Sequence, residues 1–167
     1  MAIVYFAYGS NLCTGRLRAR TPSADPIATA ELPAHTLKWH KRSTDGSAKA
    51  NALDTGRDRD VVWGVLFKIA DAEKSDLDRA EGLGHGYDEV EVVVRQAGVG
   101  DCPAIAYVAD PAYVDDSWRP YTWYKQLVVR GALHHGLPAD YVAAIEAVLA
   151  QDDPDADRTA ENLAIVC

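Results

Sequence analysis

Residues 61–69 read VVWGVLFKI, an almost unbroken run of β-branched, aliphatic and aromatic side chains. A short run of this composition predicts a β-strand. Residues 87–96 alternate between valine and polar side chains, which is typical of a strand with two different faces. Together with other apolar segments, these patterns predict strands at residues 3–7, 35–41, 48–53, 61–69, 87–96 and 102–108, the last two paired as a hairpin.

Helical patterns occur between the strands and after the last of them. Residues 12–20, 71–80 and 121–135 are predicted to be helices, and Pro138 opens another that runs toward residue 150. Its apolar residues recur at the spacing of a core-facing stripe. Because strands dominate the first two thirds and helices the last third, the order predicts an α+β fold. The strands are short and numerous enough to curl into a small mixed barrel. We expect one domain over residues 1–150, followed by an acidic C-terminal tail at residues 151–167.

Composition excludes several classes of function. The chain has 167 residues, of which 48% are hydrophobic, and its 17 Lys and Arg against 25 Asp and Glu give a net charge of −8. A pI near 5.0 argues against binding to nucleic acid or to anionic lipid, because both need a basic face. No apolar run approaches the roughly 20 residues of a membrane span. The N-terminus has no basic region, so we expect no signal peptide and no membrane association.

The cysteines and histidines show no ligand pattern. Cys13, Cys102 and Cys167 lie far apart and form no CxxC motif, so neither a zinc site nor a disulfide framework is expected. Their odd number, without an export signal, favours a reducing cytoplasm. The five histidines show no metal-ligand spacing. The sequence therefore predicts a cytoplasmic protein without a metal.

The first candidate site is the segment YFAYGSNL at residues 5–12. Tyr8 to Asn11 break the first strand with turn-forming residues, and Gly9 lets a ligand approach the backbone closely. Free amides at the following helix start attract a carboxylate or an oxyanion. An ordinary capped turn is the alternative interpretation. Ser10 is a poor candidate nucleophile, because the segment lacks the Gly-x-Ser-x-Gly elbow.

The second candidate is Glu81 in LDRAEGLGHGY, at the predicted end of a helix and beside Gly82. The negative end of the helix dipole disfavours a carboxylate there. With partial burial, that repulsion raises the pKa toward the range of a proton carrier. The alternative interpretation is a solvated surface glutamate.

At these residues the sequence resembles the γ-glutamylcyclotransferases, including the γ-glutamylamine and antibiotic-pathway cyclotransferases. YFAYGSNL is similar to the family's N-terminal signature, and VWGVLFKI (62–69) to its central strand. LDRAEG (77–82), followed by Tyr87, resembles the segment with the catalytic glutamate. The segment from Tyr124 to Pro138 resembles its C-terminal helical region. The four segments occur in the family's order and cover nearly the whole chain up to about residue 150.

The resemblance implies a small mixed β-barrel flanked by helices and an enzyme that needs no cofactor. It makes Glu81 the general acid/base. It also implies a substrate pocket with the side chains and backbone of Tyr5, Phe6, Ala7, Tyr8, Gly9, Ser10, Asn11, Tyr87 and Tyr124. The role of Asn11 is left open between substrate binding and structure.

In the family's reaction the α-amine of a γ-glutamyl amide attacks its own γ-carbonyl and releases 5-oxoproline and an amine. The expected partner is therefore a small γ-glutamyl compound, and a homodimer is compatible with the sequence. The leaving group is expected against the loops at 43–60 and 109–120. Alternatives are the same chemistry on a γ-glutamyl-amine or a γ-glutamyl-protected natural-product intermediate, or a non-catalytic module that binds a small ligand.

Overall fold

A computed structural model describes all residues, 1–167. Five strands close into a mixed barrel in the order β1-β5-β2-β6-β7. All neighbours are antiparallel except β1 and β7, which meet in parallel at Tyr5 and Ile105. The barrel strands are β1 (Ala2–Ala7), β2 (Asp25–Pro33), β5 (Val61–Ala70), β6 (Tyr87–Gln96) and β7 (Gly100–Ala109). A separate hairpin contains β3 (His35–Arg42) and β4 (Ala48–Asp54).

The helices flank this barrel. They are α1 (Thr14–Arg18), α2 (Lys74–Glu81), α3 (Thr122–His134), α4 (Ala139–Glu146) and α5 (Ala156–Leu163). The predicted α+β barrel with flanking helices is confirmed. None of these helices is both long and apolar enough to cross a bilayer.

Strand β2 is the one barrel strand that the sequence did not predict. Its segment, DPIATAELP, begins and ends near prolines, and a proline lowers the expectation of a strand because it donates no ladder hydrogen bond. In the barrel the register against β5 shifts between Pro26 and Ala28. The strand therefore accommodates Pro26 beside an irregularity, which the sequence pattern does not reveal.

Helix α3 packs closely against the turn that follows β1. A Cβ atom at Gly131 would lie 2.4 Å from the carbonyl carbon of Leu12 and 2.5 Å from the amide nitrogen of Cys13. Only a glycine permits this approach of helix and turn. The contact fixes α3, and with it Tyr124, relative to the YFAYGSNL segment.

The C-terminal segment is ordered against the domain. Helix α5 packs on α3, and Arg158 binds Asp153, which also accepts a hydrogen bond from Trp123 Nε1 at 2.8 Å. The expectation of no disulfide is wrong, because Cys13 and Cys167 form one. Their separation of 154 residues hides a proximity that only the folded tail creates.

Candidate active site

A cavity opens beside the turn after β1. Its lining consists mostly of tyrosines, together with small residues of the turn and of β4. The lining residues are Tyr5, Tyr8, Gly9, Ser10, Asn11, Ala50, Glu81, Tyr87, Tyr107 and Tyr124. The early turn and the glutamate at the end of α2 thus meet in one hollow, although 70 residues separate Asn11 from Glu81.

Glu81 is delivered to this cavity by the end of α2. The helix stops at Gly82, whose φ of 68° is a left-handed conformation that favours glycine. The Glu81 side chain is 14% exposed. Its Oε1 accepts a hydrogen bond from Asn11 Nδ2 and lies 3.6 Å from Arg20 Nη1. Its Oε2 has no protein partner, so one carboxylate oxygen is available to a ligand.

The electrostatic surroundings of Glu81 suit a proton carrier. Burial raises the pKa of its carboxyl above the ordinary value, while the charge of Arg20 and the hydrogen bond from Asn11 oppose that rise. A carboxylate that is easier to protonate than an exposed one, and beside cations that favour its ionised form, is suited to accept a proton and return it.

Asn11 links the turn to the acid. Its Nδ2 donates to Glu81 and also lies 3.1 Å from the hydroxyl of Tyr5, while its Oδ1 accepts from Arg20 Nη1 at 3.0 Å. These partners fix the amide orientation and hold the carboxyl of Glu81 in place. These contacts support the structural alternative for Asn11, while its place in the cavity lining leaves substrate binding as a prediction.

The turn offers a set of free donors. The amides of Leu12 and Cys13 return to the carbonyls of Gly9 and Ser10, whereas the earlier amides of the turn donate to no main-chain carbonyl. The hydroxyl of Tyr124 accepts a hydrogen bond from Ala50 N at 3.1 Å and also faces the Ser10 amide. Unpaired amides at a helical start bind anions.

The remaining tyrosines keep their protons. Tyr87 donates to the carbonyl of Ala50 and Tyr8 to that of Tyr107, each at 2.5 Å. Burial raises the pKa of both hydroxyls. Both side chains are therefore neutral. They line the cavity, and their hydrogen bonds hold β4 and β7 in place.

Comparison with known proteins identifies the family of this chain. Residues 61–145 match the model of the AIG2-like family. The mouse protein "Gamma-glutamylcyclotransferase" is 30% identical over 157 residues, with 87% of this chain and 78% of the relative covered. Its human counterpart is 29% identical over 161 residues, covering 90% and 81%. The chain belongs to the AIG2-like family, among the γ-glutamylcyclotransferases.

The solved structures support the same conclusion. A structure named "Gamma-glutamyl cyclotransferase" superposes with a TM-score of 0.86 at 27% identity and covers 98% of both chains. The predicted family is confirmed, and the chain is an enzyme of the γ-glutamylcyclotransferase class.

Two predicted pocket residues of this cyclotransferase do not line the cavity. Phe6 and Ala7 are fully buried, so no ligand reaches their side chains. Alternation along β1 turns Phe6 away from Tyr5, and its ring lies against Gly64 of β5. Conversely, the sequence prediction missed Ala50 and Tyr107, whose strands reach the cavity only through the tertiary fold. Their segments contain no turn or charge signal that singles them out.

A second cleft continues from the cavity and shares Ser10, Glu81, Tyr87 and Tyr124 with it. The first of the two loops expected near the leaving group contributes Ser43, Thr44, Asp45 and Lys49. No residue of 109–120 lines this cleft, because that loop is hydrogen-bonded along the β3–β4 hairpin, to Arg42, His40 and Ala48. Its remaining walls are Arg16, Arg20, Ala80 and Trp123.

Proposed function

We propose that this chain cyclises γ-glutamyl amides to 5-oxoproline, with Glu81 as the group that moves the proton. The observation that carries the proposal is the buried carboxyl of Glu81 with one free oxygen, in the same cavity as the turn residues Gly9 to Asn11, whose amides donate to no main-chain carbonyl. An acid and an anion-binding turn at this spacing suit a substrate with an α-ammonium and an α-carboxylate.

The first step is deprotonation of the substrate. Glu81 Oε2 accepts a proton from the α-ammonium, which frees the lone pair of the nitrogen. The amine then attacks the γ-carbonyl of the same molecule, and a new C–N bond closes a five-membered lactam. Because the nucleophile belongs to the substrate, a correct orientation of the bound substrate supplies much of the rate enhancement. Intramolecular attack reaches effective molarities of about 10⁵–10⁸ M when it is well oriented.

The second step is expulsion of the amine. The original amide C–N bond breaks as Glu81 returns the proton to the departing nitrogen. The ring nitrogen, which still carries two hydrogens after the attack, then passes its second proton through the regenerated carboxylate to the free amine, so the products are a neutral lactam and an ammonium ion. The turn amides, with the Tyr124 hydroxyl beside them, supply the anion-binding part of the site. These donors also let a protein of net charge −8 hold the α-carboxylate of the substrate.

The test is release of 5-oxoproline from a panel of γ-glutamyl compounds, followed by chromatography. The panel contains γ-glutamyl amino acids, γ-glutamyl alkylamines and a γ-glutamyl-acylated natural-product amine. We expect stoichiometric 5-oxoproline and free amine from at least one class. Binding across the panel without any product would contradict the proposal and favour a non-catalytic binding module.

A further inference from the structure

The cleft beyond the cavity is cationic, although the protein as a whole is acidic. Arg16, Arg20 and Lys49 line it, against the carboxylates of Asp45 and Glu81. Arg20 faces Glu81, and Lys49 Nζ binds Asp45 Oδ2 at 2.5 Å. Two of the three cations thus face a protein carboxylate.

Arg16 is the cation without an acidic partner. Its Nε donates to Ser10 Oγ at 3.1 Å and its Nη1 to Asn162 Oδ1 at 2.7 Å, and both acceptors are neutral. The second terminal nitrogen of the guanidinium has no partner in the protein. Partly buried cations normally face an anion, so the cleft contains one positive charge more than its own residues balance.

Lys49 lies close to this unbalanced charge. Its ammonium is 4.9 Å from the centre of the Trp123 ring, and the guanidinium carbon of Arg16 is 5.7 Å from the same centre. Lys49 uses two of its three donors, on Asp45 and on Ser47 Oγ at 2.7 Å. Burial lowers the pKa of its ammonium to about 8, so the group is still mostly charged at pH 7.

We propose, on the basis of the function given above, that Arg16 and Lys49 determine leaving-group specificity by binding a carboxylate on the departing amine. The cleft shares Glu81, which protonates that amine, with the tyrosine-lined cavity to which we assign the glutamyl moiety, and its Arg16, Arg20 and Lys49 do not line that cavity. A departing amine without an acidic group leaves the positive charge of Arg16 without a counter-charge. Charge-assisted hydrogen bonds are the strong class of such contacts, which makes the cleft selective.

The experiment compares two substrates that differ only in that carboxylate: γ-L-glutamyl-L-alanine and γ-L-glutamyl-ethylamide. For the unmodified enzyme, we expect kcat/KM to be about 10-fold or more higher with the alanine compound, the scale of one hydrogen bond to a charged group. Equal values for the two substrates would overturn the proposal without the need for any variant.

Lys49→Met is the informative variant, because it keeps the length of the side chain and removes the charge. We expect the ratio of the two kcat/KM values to fall about 10-fold, and Lys49→Arg to restore most of it. The intrinsic difference between the two leaving amines is the same in every variant, so a change in the ratio isolates the contact. Lys38→Met is the matched control, since Lys38 is exposed on the same hairpin and should leave both rates unchanged.

Parallel losses on both substrates would show that the cations serve the α-carboxylate of the glutamyl moiety, and would overturn the specificity assignment. The ethylamide also separates the two proposals. Release of 5-oxoproline from both substrates at similar rates refutes the specificity site and leaves the cyclisation intact. No 5-oxoproline from either substrate, or from the wider panel, refutes the cyclisation itself.

Discussion

At the scale of single residues, the site joins an acid to the groups that control its charge. Glu81 was predictable, because a carboxylate next to a glycine at a helix end is unusual and because the surrounding motif resembles a known family. Arg20 and Lys49 were not, because charged residues on a helix or a hairpin are usually solvated. Only the folded chain shows that their side chains line the cleft beside Glu81.

Removal of Arg20 should move the acidic limb of the pH profile. The positive charge of Arg20 stabilises the ionised form of Glu81 and so lowers its pKa. In Arg20→Ala the pKa of Glu81 rises further, and the enzyme loses the ionised base at a higher pH. We expect the acidic limb of kcat/KM to shift to higher pH, whereas Arg18→Ala, at an exposed site, leaves it in place. An unshifted limb in Arg20→Ala would separate Arg20 from the titration of Glu81.

Tyr124→Phe should chiefly weaken substrate binding. Loss of the hydroxyl removes the acceptor for Ala50 N. It also removes the oxygen that the Ser10 amide faces. An unsatisfied buried donor costs about 1–3 kcal/mol, so we expect KM to rise by roughly 5- to 150-fold with a smaller change in kcat. Steady-state kinetics that match those of the unmodified enzyme would remove Tyr124 from the site.

At the scale of elements, close packing holds the site together. Helix α2 ends at the glycine that the sequence indicates, and β5 forms where VVWGVLFKI predicts it. Strand β2 could not be predicted, because its prolines hide a strand that depends on β5 for its register. The contact of α3 with the turn was equally hidden, since it relies on the absence of a side chain at Gly131.

Gly131→Ala tests that contact, because the sign of the change in unfolding free energy shows whether helix and turn are in close contact. In an ordinary helix, replacing glycine by alanine stabilises by about 1 kcal/mol. Here the new Cβ would meet the backbone of Leu12 and Cys13, so we expect a net loss of about 1–3 kcal/mol of unfolding free energy. Urea denaturation measures the difference in unfolding free energy. Ser75→Ala, at an exposed position of α2, is the control. Stabilisation by Gly131→Ala would show that α3 does not approach the turn so closely.

At the scale of the whole molecule, the C-terminal tail closes the domain. The sequence predicts an acidic tail but not its place, because the contacts that anchor it are distant in the chain. Arg130 donates to the carbonyls of Leu163 and Ile165, and Arg16 connects Asn162 to Ser10 of the turn. The tail therefore braces the same turn that lines the cavity.

Opening the disulfide should lower stability. A cross-link between Cys13 and Cys167 spans 154 residues, and loss of a native disulfide commonly costs about 2–5 kcal/mol. We expect Cys167→Ser, or reduction with dithiothreitol, to lower the melting temperature. Cys102→Ser, at the one free cysteine, is the control and should melt like the unmodified protein. An identical melting temperature with and without reductant would contradict a stabilising bridge.

The most direct test of the proposed mechanism is turnover by Glu81→Gln, measured together with substrate affinity by calorimetry. Glutamine keeps the shape and can still bond to the Asn11–Arg20 pair, but it cannot carry a proton. We expect kcat to fall by about 10²–10⁴-fold while the dissociation constant changes only a few-fold, and Glu91→Gln, at an exposed carboxylate, to behave like the unmodified enzyme. Near-normal release of 5-oxoproline by Glu81→Gln would contradict a proton-carrying role for this residue.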